Sequence, residues 1–288
     1  MHRVIVAVLV FLAFVPLAIA DVMILPPGHE RFVNADVVIV GKVIGIEPMD
    51  VETMMTPTSP YKFRFRVAIV KVSETLAGDK KADTVRVAFV PADEKRNPIG
   101  FGRYPELNFK LAVGQEGLMF LKTHPIAKLP YGRLNQDFVP RDSGTGKEVP
   151  GGRPIVSYDG ELKKARAAAK VFENPLKALR ADEPADRWVA TACLILRHRT
   201  PPHPKAKTEL LGLEESQRIL TNLLEVDWKT QRDRPSPWEC FRMLDLTQQD
   251  GWIAPKQFSN QNELRDHIRA WHTQHGQKVQ LRRFAAGK

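Results

Sequence analysis

Residues 37–46 read VVIVGKVIGI, apolar on both faces of a strand and interrupted by Gly41 and Gly45. A strand that is apolar on both sides must be covered on both sides, by flanking layers or by closure into a barrel. Glycine weakens a plain strand, yet it permits the tight coiling that barrel strands need. Spaced four apart, the two glycines share one face. The spacing predicts a strand curled into a small barrel.

The following segments supply partners for it. In YKFRFRVAIVKVSETL, residues 61–76, the side chains of Tyr61, Phe63, Phe65, Val67 and Ile69 alternate with Lys62, Arg64 and Arg66. The phase then slips, with Val70 and Val72 apolar around Lys71, as a β-bulge would make it. Residues 83–90, DTVRVAFV, give a third strand with Val85, Val87 and Phe89 inward, and residues 116–123, EGLMFLKT, a fourth. Weaker candidates lie around Phe138 and at PIVSY, residues 154–158. The connections over 48–60 and 91–114 are long and irregular, which in a compact domain marks functional or mobile segments. Five or six short strands of this kind fit a Greek-key barrel of the OB type.

From Asp159 the period changes to that of helices. Leu162, Ala165, Ala169 and Phe172 form one stripe, and Ile219, Leu220, Leu223 and Leu224 another. Asp186 is placed to cap a helix bearing Trp188, Ala192, Ile195 and Leu196. Pro237 suits the first turn of a short helix over Trp238–Leu246. Asn260 with Glu263 opens a last helix lined by Leu264, Ile268 and Trp271. The predicted fold class is α+β, with a small antiparallel β-barrel over residues 21–158 followed by an all-α domain over 159–288.

Three stretches, ADVVIVGKVIGIE (35–47), YKFRFRVAIVKVSETLAGD (61–79) and FKLAVGQEGLMFL (109–121), resemble the netrin-like module shared with tissue inhibitors of metalloproteinases. The resemblance covers residues 34–123 and implies an OB-type barrel. In those inhibitors a mature N-terminal cysteine chelates the protease zinc through its amine and carbonyl. Here the strand-rich region contains no cysteine, so the inhibitory chemistry is not implied.

The first residues have the layout of a secretory signal. Arg3 precedes an apolar run over Val4–Val15, and Ala18-Ile19-Ala20 stand before Asp21, so cleavage is expected after Ala20. The alternative is an uncleaved anchor, since the run approaches bilayer-spanning length. No later segment is long and apolar enough to span. Cleavage leaves 268 of the 288 residues, comfortable for two domains. A formal net charge of +10 favours anionic partners. The expected partner is therefore another exported protein or an anionic envelope polymer, not intracellular nucleic acid. Lys62, Arg64, Arg66 and Arg86 form the candidate polyanion face, the alternative being a solvated outer surface. Cys193 and Cys240 are the only cysteines. An oxidising compartment invites a disulfide between them, whereas their apolar helical contexts suit two buried free thiols.

No catalytic set is legible. DSGTG, Asp142–Gly146, matches the short aspartic-protease signature, but no second copy supplies the paired carboxylate that chemistry needs. GTGKE at 144–148 has Arg141 and Glu148 where a phosphate loop requires Gly and Ser or Thr. His272 and His275 lie one turn apart near His267, yet nothing beside them completes a metal set. There is no G-x-S-x-G, and both cysteines sit in apolar surroundings. The reading is of an exported, cofactor-free, non-catalytic protein acting through surface contacts or structure. An envelope hydrolase or protease with an unrecognised site and a polyanion-binding module are the alternatives. The mature chain should begin at Asp21, and intact-mass measurement of secreted material checks it; retention of residues 1–20 in a membrane fraction contradicts it.

Overall fold

The computed structural model describes residues 28–54, 57, 58, 60, 62–90, 111–132, 138–141, 157–201, 205–228, 235–255, 257 and 260–285. The leader with Asp21, the Asp142–Gly146 segment and most of the 91–114 connection lie outside these residues. The fold is mixed α+β, a strand-rich sheet followed by helices. Its strands are β1 (Val37–Ile46), β2 (Val51–Met54), β3 (Lys62–Ala77), β4 (Thr84–Phe89), β5 (Glu116–Thr123), β6 (Pro130–Tyr131) and β7 (Phe138–Pro140). β1 pairs with both β3 and β5, β3 continues to β4, and β6 links β4 back to β5. The succession of pairings returns to its start, a ring-like arrangement from which β2 extends along β3 and β7 along β5. One expectation needs correction: β4 and β6 run parallel, joined at Ala88 and Tyr131, so the sheet is not wholly antiparallel.

The two-faced character of β1 is realised over its first half. Ile39 and Val43 turn into the sheet's interior with Val70, Val87, Met119 and Leu121. Val38, with Leu118 and Phe120 of β5, packs against the helices on the other face. Gly41 lies directly opposite Gly117 of β5. A Cβ on Gly41 would stand 2.6 Å from Val70 Cγ1 and 2.7 Å from the Lys71 carbonyl oxygen. One on Gly117 would stand 2.5 Å from both the Phe138 ring and the Val139 carbonyl oxygen. Gly45 has nothing nearer than Ile69 Cδ1 at 3.9 Å. Of the two glycines in β1, only Gly41 is demanded by close approach.

Bulges occur in β3, at positions other than the expected one. The β1–β3 register passes over Ser73 and again over Leu76, and it passes over Ile44 on β1. The change of face along β3 comes earlier than the sequence indicated: Val67 and Ala68 are consecutive buried residues and Ile69 is half-buried. Phe63 and Phe65 do not share the interior with Ala68 and Val70. They form a separate cluster with Ala88 and Tyr131.

The helices are α1 (Gly28–Asn34), α2 (Tyr158–Glu173), α3 (Pro175–Leu179), α4 (Pro184–Arg199), α5 (Leu213–Glu225), α6 (Pro237–Met243) and α7 (Gln261–Gln274). Their ends carry the expected chemistry. Ser157 caps α2 by accepting from Gly160 N–H at 3.0 Å, and Ser236 with Glu239 makes a reciprocal box at α6. Asn260 accepts from Asn262 and Glu263 N–H at the head of α7. Glu183, not Asp186, is the cap residue of α4. α1 has no counterpart in the sequence reading. It packs on α2 and α4, with Phe32 stacked on Phe172 at 5.9 Å between ring centroids. Its Arg31 pairs with Glu161 of α2, both fully enclosed, over the Phe120 ring of β5. Phe241 gathers Trp252 at 4.8 Å, Trp271 at 6.0 Å and Trp238 at 6.3 Å. The region after residue 158 is not all-α: β8 (Thr208–Leu210) pairs antiparallel with β9 (Arg282–Phe284). β8 is three residues long and wholly exposed, and such a strand has no alternation to betray it.

Gly41→Ala should cost about 1–3 kcal/mol, because the methyl must push into β3 backbone. Gly45→Ala should be nearly silent. Urea unfolding of both variants decides it, and equal midpoints would contradict the close-approach argument.

Candidate functional site

The bulge at Ser73 creates a site as well as a register shift. A bulge leaves one residue out of the ladder and re-aims its neighbours. Here Ser73 Oγ donates to the Val40 carbonyl oxygen at 3.0 Å, and Glu74 turns toward α2. The first turns of α2 face it. Tyr158, Leu162 and Arg166 recur every four residues and so lie on one side of the helix. Together with Arg141, just beyond β7, these groups enclose a cleft of about 560 Å³ between sheet and helix, with Asp159 at its rim. That volume is within the ~300–1,000 Å³ range of small-molecule sites.

Each arginine in the cleft is held by a carboxylate. Arg166 donates to Glu74 through Nε at 3.0 Å and Nη2 at 2.6 Å. Arg141 donates to Glu116 at 2.9 Å, and Lys42 lies 3.5 Å from the same carboxylate. The hydrogen bond from Arg141 holds Glu116 below the usual carboxylate range, with Lys42 adding to it. Tyr158 is nine-tenths buried, 9% exposed, and burial raises its hydroxyl above the ordinary value against the opposing pull of Arg141 and Arg166. Among the described residues that hydroxyl has no hydrogen-bond partner. Asp159 is exposed and likewise has none among them. The cleft thus offers fixed donors, fixed acceptors and one unanswered hydroxyl.

The candidate polyanion residues are not one stripe. Arg66 is opposite Phe89, and Ile69 opposite Arg86, and directly opposed residues share a face. Arg64 and Arg66 therefore project on the side of Ala68 and Val70, and Arg86 on the other. Each set meets carboxylates. Asp50 stands 3.9 Å from Arg64 and 3.5 Å from Arg66, Glu52 stands 3.5 Å from Arg64, and Arg86 grips Glu47 at 2.6 and 2.8 Å. The hydrogen bond from Arg86 lowers the Glu47 carboxyl. Lys62 is exposed opposite Met54.

Cys193 on α4 and Cys240 on α6 are free, buried thiols on packed helices. Burial pushes Cys193 up to about 12 and raises Cys240 further, with Glu239 and Cys193 adding to the latter. Neither is a nucleophile at neutral pH. His267 and His272 of α7 and His275 at its C-cap turn to different neighbours: His267 bonds the Ile253 carbonyl at 2.9 Å, His275 abuts Gly251 and His272 abuts Gly276. Among the described residues no group of three or more His, Cys, Asp or Glu is placed to hold a metal.

Sequence reasoning passed over the cleft entirely. Tyr158, Arg141, Arg166, Glu74 and Ser73 are spread over nearly a hundred positions and match no motif. The one local signal was a tyrosine on the charged flank of a capped helix start. No family model matches the chain, and no curated protein gives a significant match.

A second buried group was also invisible. His124 is 1% exposed, edge-on to Phe65 and Tyr131 at 5.3 and 5.2 Å. Its Nδ1 accepts from Ile126 and Ala127 N–H at 3.1 and 3.0 Å, which fixes the neutral tautomer. Burial lowers its pKa, and the Met54 backbone offsets only part of that. Burial lowers His272 as well. The folded chain binds these protons less readily than the unfolded chain, whose histidines titrate near ~6.5. The associated stability is fully present above that pH and is lost as pH falls through the depressed folded values. The unfolding free energy should therefore fall between roughly pH 7.5 and 5.5, by at most about 1.4 kcal/mol per pH unit for each histidine, and the urea midpoint with it. His124→Phe should flatten the dependence, and a wild-type midpoint constant over that window would contradict it.

Proposed function

We propose that this chain is an exported, non-catalytic binding protein that holds a small polar ligand in the cleft between its sheet and α2. The strand-rich part is read as a closed OB-type barrel with a netrin-like pattern. Supporting that reading are the ring of pairings through β1, β3, β4, β6 and β5 and the single parallel contact that joins β4 to β6. The zinc-chelating start of the metalloproteinase inhibitors has no counterpart in this chain's cysteine-free strand region. Export rests on the signal-like residues 1–20.

The observation that carries the reading is the cleft wall, where Tyr158, nine-tenths buried as a residue, presents a hydroxyl with no partner among the described residues between two carboxylate-held arginines. A hydroxyl that faces a cleft keeps its donor and its acceptor positions for a group from outside. Binding is favoured over catalysis by the state of the charges. Glu74 and Glu116 are committed to arginines, and the Ser73 hydroxyl donates to the Val40 carbonyl, so among the described residues no base is paired with a nucleophile in the cleft. Elsewhere, His198 and Glu215 meet at 2.9 Å. The adjacent Ser216 hydroxyl already donates to the Gly212 carbonyl and accepts from Leu281 N–H, so that pair activates no nucleophile.

Thermal-shift measurements over a panel of small polar compounds, with peptide, ester and glycan turnover assays beside them, test this. We expect compounds that raise the wild-type Tm and no longer raise that of Arg166→Ala, and no turnover. Turnover abolished by Tyr158→Phe would overturn the non-catalytic reading. Shifts unaffected by Arg166→Ala would place binding elsewhere.

A further inference from the structure

We infer that the ligand class is a neutral saccharide or other polyol presenting adjacent hydroxyl groups, an inference that rests on the cleft being a binding site. Among the described residues the cleft's charges are two guanidiniums, Arg141 and Arg166, and two carboxylates, Glu74 and Asp159. Their sum is zero. An anion such as phosphate or a carboxylate would gain the guanidiniums only by competing with Glu74 and Glu116, which already hold them, and it would then face Asp159. A cation meets the converse difficulty. Neither sign of charge is drawn in.

Neutral hydroxyls suit the same groups without displacing any. A guanidinium has five N–H donors and a carboxylate about four acceptor positions. Arg166 spends Nε and one Nη2 hydrogen on Glu74, so its Nη1 donors and the outer lone pairs of Glu74 are not used by that pair. The Tyr158 hydroxyl both donates and accepts. Ser73 Oγ donates to Val40 and keeps its lone pairs. Asp159 accepts nothing among the described residues. Adjacent hydroxyls on a sugar ring are spaced to accept from one neighbour and donate to the next, which matches a surface where donors and acceptors alternate. Leu162 and Val40 offer C–H surface for the ring itself. A charged ligand needs an excess of one sign, and a peptide backbone needs an open strand edge or an apolar side-chain pocket; this cleft has the mixed polarity of hydroxyl recognition.

The test is an amide and arginine side-chain NMR titration of the full mature chain with methyl α-glucoside, methyl α-mannoside, methyl β-galactoside and N-acetylglucosamine. Inorganic phosphate, acetate and tetramethylammonium form the charged arm. We expect at least one neutral sugar to shift the Asp159, Gly160 and Arg166 signals, with an affinity that stays within twofold between low and high salt. Tyr158→Phe should weaken it by about five- to tenfold, the effect of one hydrogen bond. Asp159→Asn, still an acceptor but uncharged, should bind within about twofold of wild type while Asp159→Ala does not. The Asp159 pair keeps the test sound should Tyr158→Phe fold poorly. Salt-sensitive shifts of the same signals by phosphate, acetate or tetramethylammonium, with none from the sugars, would overturn the polyol assignment and leave the binding site standing. If neither arm moves those signals, the polyol assignment falls and the binding-site reading falls with it.

Discussion

The buried pairing of Arg31 with Glu161 sets the relation between the helices and the sheet. Two charges out of water attract strongly, but each has lost its hydration, and the balance between these terms is close. Removing one partner is far from balanced, since it strands the other; the cost is about 3–5 kcal/mol. Arg31 belongs to α1, Glu161 to α2, and the guanidinium lies over Phe120 of β5, so one contact fixes three elements. Two further pairs along α2 repeat the theme in alternating sign, Arg166 with Glu74 and Lys80 with Glu173. Both are solvent-exposed and individually weak, but sliding α2 along the sheet would bring like charges toward each other. The buried pair supplies the anchor and the exposed pairs the register. The cleft exists because α2 is held at that register, with its first two turns beside the Ser73 bulge.

Within the sheet the comparable constraint is room for backbone. Gly41 and Gly117 sit opposite each other, and each admits a carbonyl of a third strand where a methyl group would collide. The ring of pairings turns tightly at that seam. The bulges at Ser73 and Leu76 then absorb the mismatch between β1 and β3, and one of them becomes the floor of the cleft. Curvature and site thus share a cause.

Much of this was legible in the sequence. The double apolar face of residues 37–46 demanded cover on both sides, and the helical stripes after Asp159 gave α2, α5 and α7 with their inner residues. What escaped has physical reasons. α1 is seven residues long and too short for a periodic signal. β6, β8 and β9 span only two or three residues each; β6 is held by ring closure and β8 and β9 by pairing with each other, and none by propensity. Alternation along each strand separately puts Arg64 and Arg86 on one outward stripe, whereas register decides which faces coincide. The carboxylates that answer these arginines come from Glu47, Asp50 and Glu52, outside the strands on which the stripe was read. The cleft was hidden for a related reason. Its residues meet only when a bulge, the end of β7 and the start of α2 converge, and no spacing along the chain encodes that.

The aromatic grouping around Phe241 divides the molecule spectroscopically. All five tryptophans, at 188, 228, 238, 252 and 271, follow the start of α2, while the four tyrosines, at 61, 104, 131 and 158, stand at or before it. Trp252 and Trp271 meet edge-to-face at 5.8 Å, an asymmetric packing of indole rings that gives strong near-ultraviolet dichroism. Emission from these indoles follows the helical region alone. The ring of strands is silent at excitation wavelengths that select tryptophan, and tyrosine absorption or backbone dichroism is needed to see it. A single unlabelled sample therefore holds two optical clocks, and any difference between them times the parting of helices from sheet.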